Sequence, residues 1–207
     1  MKAEFIKIFQ ENPNTKNLAR VVETLRRGGL VIYPTDTVYG LGCDITNSKA
    51  MQRLARLKGV KVHQHNWSFV CADLSNLSDY TRQIDTPSFK LLKKALPGPY
   101  TFVLHGKNGL PKEFKKKKTV GIRVPDNNIA RALVRELGRP IVSTSIKDED
   151  EVIEYTTDPE LIYEKWQHLV DVVIDGGYGG NIPSTVIDLT AEEPYVLRLG
   201  KGSTDII

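Results

Sequence analysis

Residues 14–42 read NTKNLARVVETLRRGGLVIYPTDTVYGLG, and two periodicities meet inside this stretch. Leu18, Val21, Val22 and Leu25 recur at helical spacing, so they form one apolar stripe on a helix capped by Asn14 or Thr15 and stopped at Gly28-Gly29. Leu30 to Tyr33 is then a short apolar strand, which Pro34 ends. A helix feeding directly into a buried strand is the repeating unit of a layered α/β domain.

The same alternation continues in both directions. Glu4 to Phe9 reads as a strand, and Ser48 caps a helix whose buried side carries Met51, Leu54, Ala55 and Leu57, leaving Arg53, Arg56 and Lys58 on its exposed side or at its end. Trp67 to Cys71 is a strand. A helix with Phe89, Leu92, Ala95 and Leu96 runs into Pro97-Gly98-Pro99, and the strands Tyr100 to Leu104 and Thr119 to Val124 flank a lysine-rich loop. Ile129, Leu133, Val134 and Leu137 mark a further helix; Ile141 to Thr144, Val170 to Asp175, Thr185 to Leu189 and Tyr195 to Leu199 are further strands. Several strands follow one another without a helix between them, which predicts a mixed sheet in a single domain spanning residues 1–207.

Composition bounds the partners. With 40% hydrophobic and 26% charged residues, the chain of 207 residues matches ordinary globular domains and excludes disordered, collagen-like and disulfide-scaffold classes. Two cysteines, Cys43 and Cys71, lie in no CxxC pair and read as small core residues of a protein in a reducing compartment. The sequence has no signal-peptide apolar stretch and no run of eighteen apolar residues, so the expectation is a cytoplasmic protein without membrane contact. The formal net charge of +4 permits an anionic partner but hides its distribution. Residues 107–118 hold six lysines against Glu113, whereas residues 148–164 hold eight acids and neither Lys nor Arg.

Three segments offer chemistry. Pro34-Thr35-Asp36-Thr37-Val38-Tyr39-Gly40-Leu41-Gly42 is a dense polar loop after a buried strand, where hydroxyls and glycine amides can receive a carboxylate or phosphate, or can simply close a turn on their own backbone. In Gly121-Ile122-Arg123-Val124-Pro125, strand alternation sends Arg123 opposite Ile122 and Val124, into a cleft where it would fork onto an anion, or to an edge where it would pair with an acid. Arg198 in Val196-Leu197-Arg198-Leu199 repeats this pattern, and Ser143-Thr144-Ser145 and Ser184-Thr185 place hydroxyls at strand ends. Gly200-Lys201-Gly202-Ser203 lacks the first glycine of a P-loop, and Gly176 to Gly180 lacks the GxGxxG spacing, so both read as turns. His63-Gln64-His65 has no third ligand at zinc-like spacing and reads as a solvated loop.

Taken together, PTDTVYGLG at 34–42, RLKG at 56–59, PGPYTFVL at 97–104, TVGIRVPDN at 119–127, IVSTS at 141–145, VDVVIDGG at 170–177, PSTVIDLT at 183–190 and VLRLG at 196–200 resemble the YrdC/YciO family over nearly the whole chain. His65-Asn66-Trp67 and the STS stretch look most like the YciO branch. The resemblance implies an α/β domain with a twisted open mixed sheet, flanking helices and a concave basic groove. It also implies kinship with enzymes that make threonylcarbamoyl-AMP from threonine, bicarbonate and ATP, releasing pyrophosphate, for tRNA threonylcarbamoyladenosine modification. Family members are also described as binding double-stranded RNA. By that resemblance Thr35, Arg123 and Thr185 match threonine-holding positions, and Lys58, Thr119, Ser145 and Arg198 match positions around the nucleotide.

Two departures bear on activity. The enzymes share Lys-x-Arg and Ser-x-Asn motifs, which here read Lys58-Gly59-Val60 and Ser145-Ile146-Lys147. Loss of one oriented donor at a developing charge costs about 2.7 to 4 kcal/mol, a hundredfold to a thousandfold in rate. Lys147 is a candidate compensating cation; alternatively it answers the acids that begin at Asp148. The expectations are therefore a protein that binds an ATP- or AMP-type nucleotide and structured RNA, the latter through Lys115, Lys116, Lys117 and Lys118, or an active synthase using ATP and Mg²⁺. No side chain is assigned as catalytic, and no structural metal is expected.

Overall fold

The computed structural model describes residues 2–63, 65–114, 118–146 and 154–207, with residues 154 and 155 described as backbone alone. Among them the strands are β1 (Glu4–Lys7), β2 (Val31–Tyr33), β3 (Gly40–Asp44), β4 (Ser68–Val70), β5 (Tyr100–His105), β6 (Thr119–Arg123), β7 (Ile141–Ser145), β8 (Val172–Asp175), β9 (Thr185–Asp188) and β10 (Tyr195–Arg198). They make one sheet in the order β1-β8-β2-β3-β7-β4-β6-β5-β9-β10. The pairs β1/β8, β2/β8, β4/β6 and β5/β9 are parallel and the other neighbours antiparallel, so the sheet is mixed as the strand succession required.

Helices α1 (Thr15–Arg26), α2 (Ser48–Leu57), α3 (Thr86–Ala95), α4 (Asn128–Leu137), α5 (Glu154–Thr157) and α6 (Pro159–Trp166) cover the sheet. Strand alternation sorts the core onto its two faces. Leu30, Ile32, Phe69, Phe102, Ile122 and Val142 pack on one side with Met51 and Leu54 of α2, Leu92 of α3 and Ile162 of α6. Val31, Tyr33, Val70, Ile141 and Val172 turn to the other side and meet the α1 stripe of Leu18, Val21, Val22 and Leu25 and the α4 stripe of Ile129, Leu133, Val134 and Leu137. Each such side chain, fully buried, contributes about 1.5 to 3 kcal/mol. The sheet face beyond α1 and α4 is left open.

Several local readings change. The last three residues of the polar loop, Gly40 to Gly42, begin β3, all five of whose residues are buried. Glycine is a poor strand former, but a Cβ at Gly42 would lie 2.5 Å from Ile141 Cγ2, and one at Gly40 would lie 3.0 Å from the Tyr33 ring. Close cross-strand packing therefore demands residues that local propensity disfavours. The acidic segment contains α6, where Asp158 caps the helix, Pro159 occupies its first turn, and Ile162 and Trp166 face the core while the acids stay outside. Asn47, not Ser48, caps α2, accepting from Ala50 N, and Asn14 caps α1. Phe89 leaves the α3 stripe and is 38% exposed. Cys43 and Cys71 are buried free thiols, each pushed up by burial first and then by neighbouring acids, Cys71 to about 12.

Candidate functional site

The open part of the sheet forms a cavity of about 820 Å³. Its floor comes from alternate residues of successive strands: Thr101 and Val103 on β5, Thr119, Gly121 and Arg123 on β6, Ser68 and Val70 on β4, and Ser143 and Ser145 on β7. The intervening Val120, Ile122, Phe102 and Leu104 point into the core. A polar period-two row on strands whose other face is apolar is the signal that would have placed this floor from sequence. Tyr33, read there only as the end of an apolar strand, donates its hydroxyl to Ser143 Oγ at 2.6 Å, and burial pushes its phenol up to about 12.

Arg123 lines the cleft and pairs with an acid, Asp36, but it does so from an interior strand, β6, and not from a sheet edge. Its Nη2 donates to Thr37 Oγ1 at 2.6 Å, Asp36 Oδ1 at 2.8 Å and Thr35 Oγ1 at 3.1 Å. The loop is fixed from behind: Thr35 Oγ1 donates to Val38 O at 2.6 Å, Gly180 N donates to Thr37 O at 2.8 Å, and Tyr39 donates its hydroxyl to Gly177 O at 2.7 Å. The Arg123 and Asp36 side chains are only 11% and 10% exposed. Within this pair, Arg123 Nε and Asp36 Oδ2 are buried and make no hydrogen bond. A donor on one partner and an acceptor on the other therefore lack a hydrogen bond, each at a cost of about 1 to 3 kcal/mol, more because they are charged.

The other cations converge on the same cavity. Arg198 lines it and donates Nη2 to Ser184 O at 2.8 Å; its guanidinium is pulled below the usual arginine value by burial first and then by the charge of Arg123. Lys58, at the C-terminal cap of α2, and Thr35, Thr119 and Ser145 also line the cavity. Val60 does not; it packs partly buried against the core.

Thr185 lies outside the lining. It is fully buried, its hydroxyl donating to Gly202 O at 2.6 Å and accepting from Gly200 N at 3.0 Å. Thr185→Val should lower stability by about 1 to 3 kcal/mol in urea unfolding, because the buried Gly202 carbonyl and the part-buried Gly200 amide lose their partner. Lys147, Lys115, Lys116 and Lys117 lie outside the described residues, while Lys118 is exposed with φ 55° next to Thr119. His65 is a correction to the sequence reading: it lines the cavity, with Nε2 3.4 Å from Thr144 Oγ1 and its ring edge-on to Trp67. No cluster of three His, Cys, Asp or Glu suited to a metal occurs among the described residues.

A family model described as telomere recombination, covering the Sua5, YciO and YrdC proteins, matches residues 23–200. The chain belongs to the Sua5/YciO/YrdC family. Escherichia coli YciO is 42% identical over 97% of both chains, and its crystal structure superposes with a TM-score of 0.90 over 99% of this chain and 98% of that one. The threonylcarbamoyl-AMP synthase of Bacillus subtilis is 30% identical over 96% of this chain and 58% of that protein. Pyrococcus abyssi Sua5, crystallised with L-threonine, is 30% identical with a TM-score of 0.85, covering 96% of this chain and 58% of that one. The α/β fold and mixed sheet are thus those of the YciO and Sua5 structures. Among the described residues no helix is long and apolar enough to cross a membrane.

Proposed function

We propose that the cavity holds an L-threonine-type amino acid beside an adenine nucleotide and carries out threonylcarbamoyl-AMP synthesis at a reduced rate. The observation behind this reading is the Arg123 guanidinium beside the Thr35 hydroxyl in the cavity lining. An α-amino acid offers a carboxylate for the guanidinium and polar atoms for the hydroxyl. The threonine-bound Sua5 relative adds support. Thr35 lies beside Arg123 to receive further polar atoms of the amino acid, while Thr185 supports the wall from behind.

Lys58, Thr119, Ser145 and Arg198 line the space left for the nucleotide. Lys58 and Arg198 supply positive charge where negative charge would gather on departing pyrophosphate. Asp188, the acid in the lining, already accepts from Thr190 and Tyr195. Mg²⁺ would accordingly ride on phosphate oxygens and water rather than in a cage of side chains. Val60, turned to the core, supplies no donor to the phosphates, which is the reason for the reduced rate.

The test is pyrophosphate release that requires both threonine and bicarbonate. A slow, doubly dependent rate is expected for the wild type and a faster one for the Val60→Arg, Lys147→Asn double variant; absence of threonine binding to either protein would overturn the reading. A second reading, structured RNA on the basic rim, is favoured by exposed Lys118 beside the cavity residue Thr119. Neutralising Lys115 to Lys118 should then make the slope of log affinity against log salt shallower by about 0.7 to 0.9 for each phosphate that these lysines neutralise.

A further inference from the structure

The segment after β10 is built around two glycines. A Cβ on Gly200 would lie 2.3 Å from Pro183 O, and one on Gly202 would lie 2.3 Å from the Tyr100 ring. The backbone between them is pinned at several points: Lys201 N donates to Pro183 O at 2.8 Å, Thr185 bridges Gly200 N and Gly202 O, and Tyr100 donates its hydroxyl to Ser203 O at 3.1 Å. Lys201 therefore leaves this segment from a fixed origin. Its ammonium reaches Asp36 O at 2.6 Å. β2, which leads into the Asp36 loop, is third in the sheet order and β9 is ninth, so this one side chain joins two lips of the cavity that the sheet itself keeps apart.

We infer that Lys201 is a positioning residue that latches the 35–37 loop over Arg123. The physical need for a latch lies in the pair beneath it. Asp36 Oδ2 and Arg123 Nε are buried without partners, so before a ligand arrives the loop gains hydration by swinging outward and separating them. The hydroxyl contacts of Thr35 and Thr37 oppose that motion from inside, and Lys201 opposes it from outside by holding the Asp36 carbonyl. A loop kept in its binding geometry spares the ligand the cost of ordering it. Lys201 itself is exposed and touches the loop at the backbone, so any residue able to donate there should serve. The ligand arm of this inference rests on the amino-acid reading proposed above; the loop arm does not.

The experiment compares wild type, Lys201→Met and Lys201→Arg by amide hydrogen exchange and by calorimetric titration with L-threonine. The latch predicts exchange at Thr37 and Val38 about five- to tenfold faster in Lys201→Met, recovery in Lys201→Arg, no change in amides of β5 and β6, and threonine affinity about fivefold weaker in Lys201→Met alone. Unchanged exchange at Thr37 and Val38 in Lys201→Met overturns the latch, whatever threonine does. Faster exchange without threonine binding to any of the three proteins upholds the latch and rejects the amino-acid reading. Faster exchange with threonine affinity unchanged rejects Lys201 as a positioning residue for that ligand.

Discussion

Arg123→Met should reduce threonine affinity about a hundredfold and lower folding stability by about 3 to 5 kcal/mol, the largest effect expected from one substitution in this protein. Both effects come from one place. Arg123 is the cation of a nearly buried pair and the donor to three oxygens of the 35–37 loop, so its removal leaves the Asp36 carboxylate charged, desolvated and unpaired. The distinguishing control is the double variant Arg123→Met, Asp36→Leu. With no charge stranded, it should recover most of the stability while threonine affinity stays about a hundredfold weaker. Urea unfolding and calorimetric titration read the two quantities separately. Additive stability changes would mean that the pair is not coupled.

Arg139→Met should cost about 3 kcal/mol at pH 7, and that cost should shrink in acid. Asp44 sits at the end of β3 with its side chain 1% exposed, and Arg139 forks onto both of its oxygens, Nε to Oδ1 at 2.8 Å and Nη2 to Oδ2. Burial by itself raises the Asp44 carboxyl, but the Arg139 hydrogen bonds, the amide and hydroxyl of Thr46 and the Arg139 charge outweigh it, leaving it below the usual carboxylate value. A carboxyl held lower in the folded state than in the unfolded one contributes stability above the unfolded value near 4, and loses it as pH falls through the folded value. In Arg139→Met the carboxylate stays buried without its cation, so the wild-type advantage is full at neutral pH and narrows below about pH 4. Unfolding curves from pH 7 down to pH 3 check this. An offset between the two proteins that does not change with pH would assign the cost to packing instead.

The layered architecture was legible because amphipathic stripes are properties of short windows. The α1 and α4 stripes each face one core cluster, and Leu30 to Tyr33 alternates between the two clusters as a strand must. β3 was not legible, because Gly40 and Gly42 carry no side chain to show a period; only the Tyr33 ring and Ile141 lying across them explain why they are glycine. α6 was hidden for the opposite reason, since its acids are the visible face and its fully buried residues are only Pro159, Ile162 and Trp166.

The site divides along the same line. Alternation on β6 sends Arg123 away from Ile122 and Val124, and the motif order identifies the family, so the cations Lys58, Arg123 and Arg198 and the hydroxyls around them are written in the sequence. Their convergence in one cavity is not, because it depends on the end of α2 and on β6 and β10, three places apart in the sheet, meeting across an open face. Tertiary structure likewise moved Thr185 from the cavity to the wall behind it, brought His65 into the lining, and set Lys201 on the Asp36 carbonyl. A sequence specifies periodicity and chemical type at each position. Which partner each polar atom finds is decided only when distant segments close around it and water is excluded, and in this protein that closure left Arg123 Nε and Asp36 Oδ2 buried without a hydrogen-bond partner.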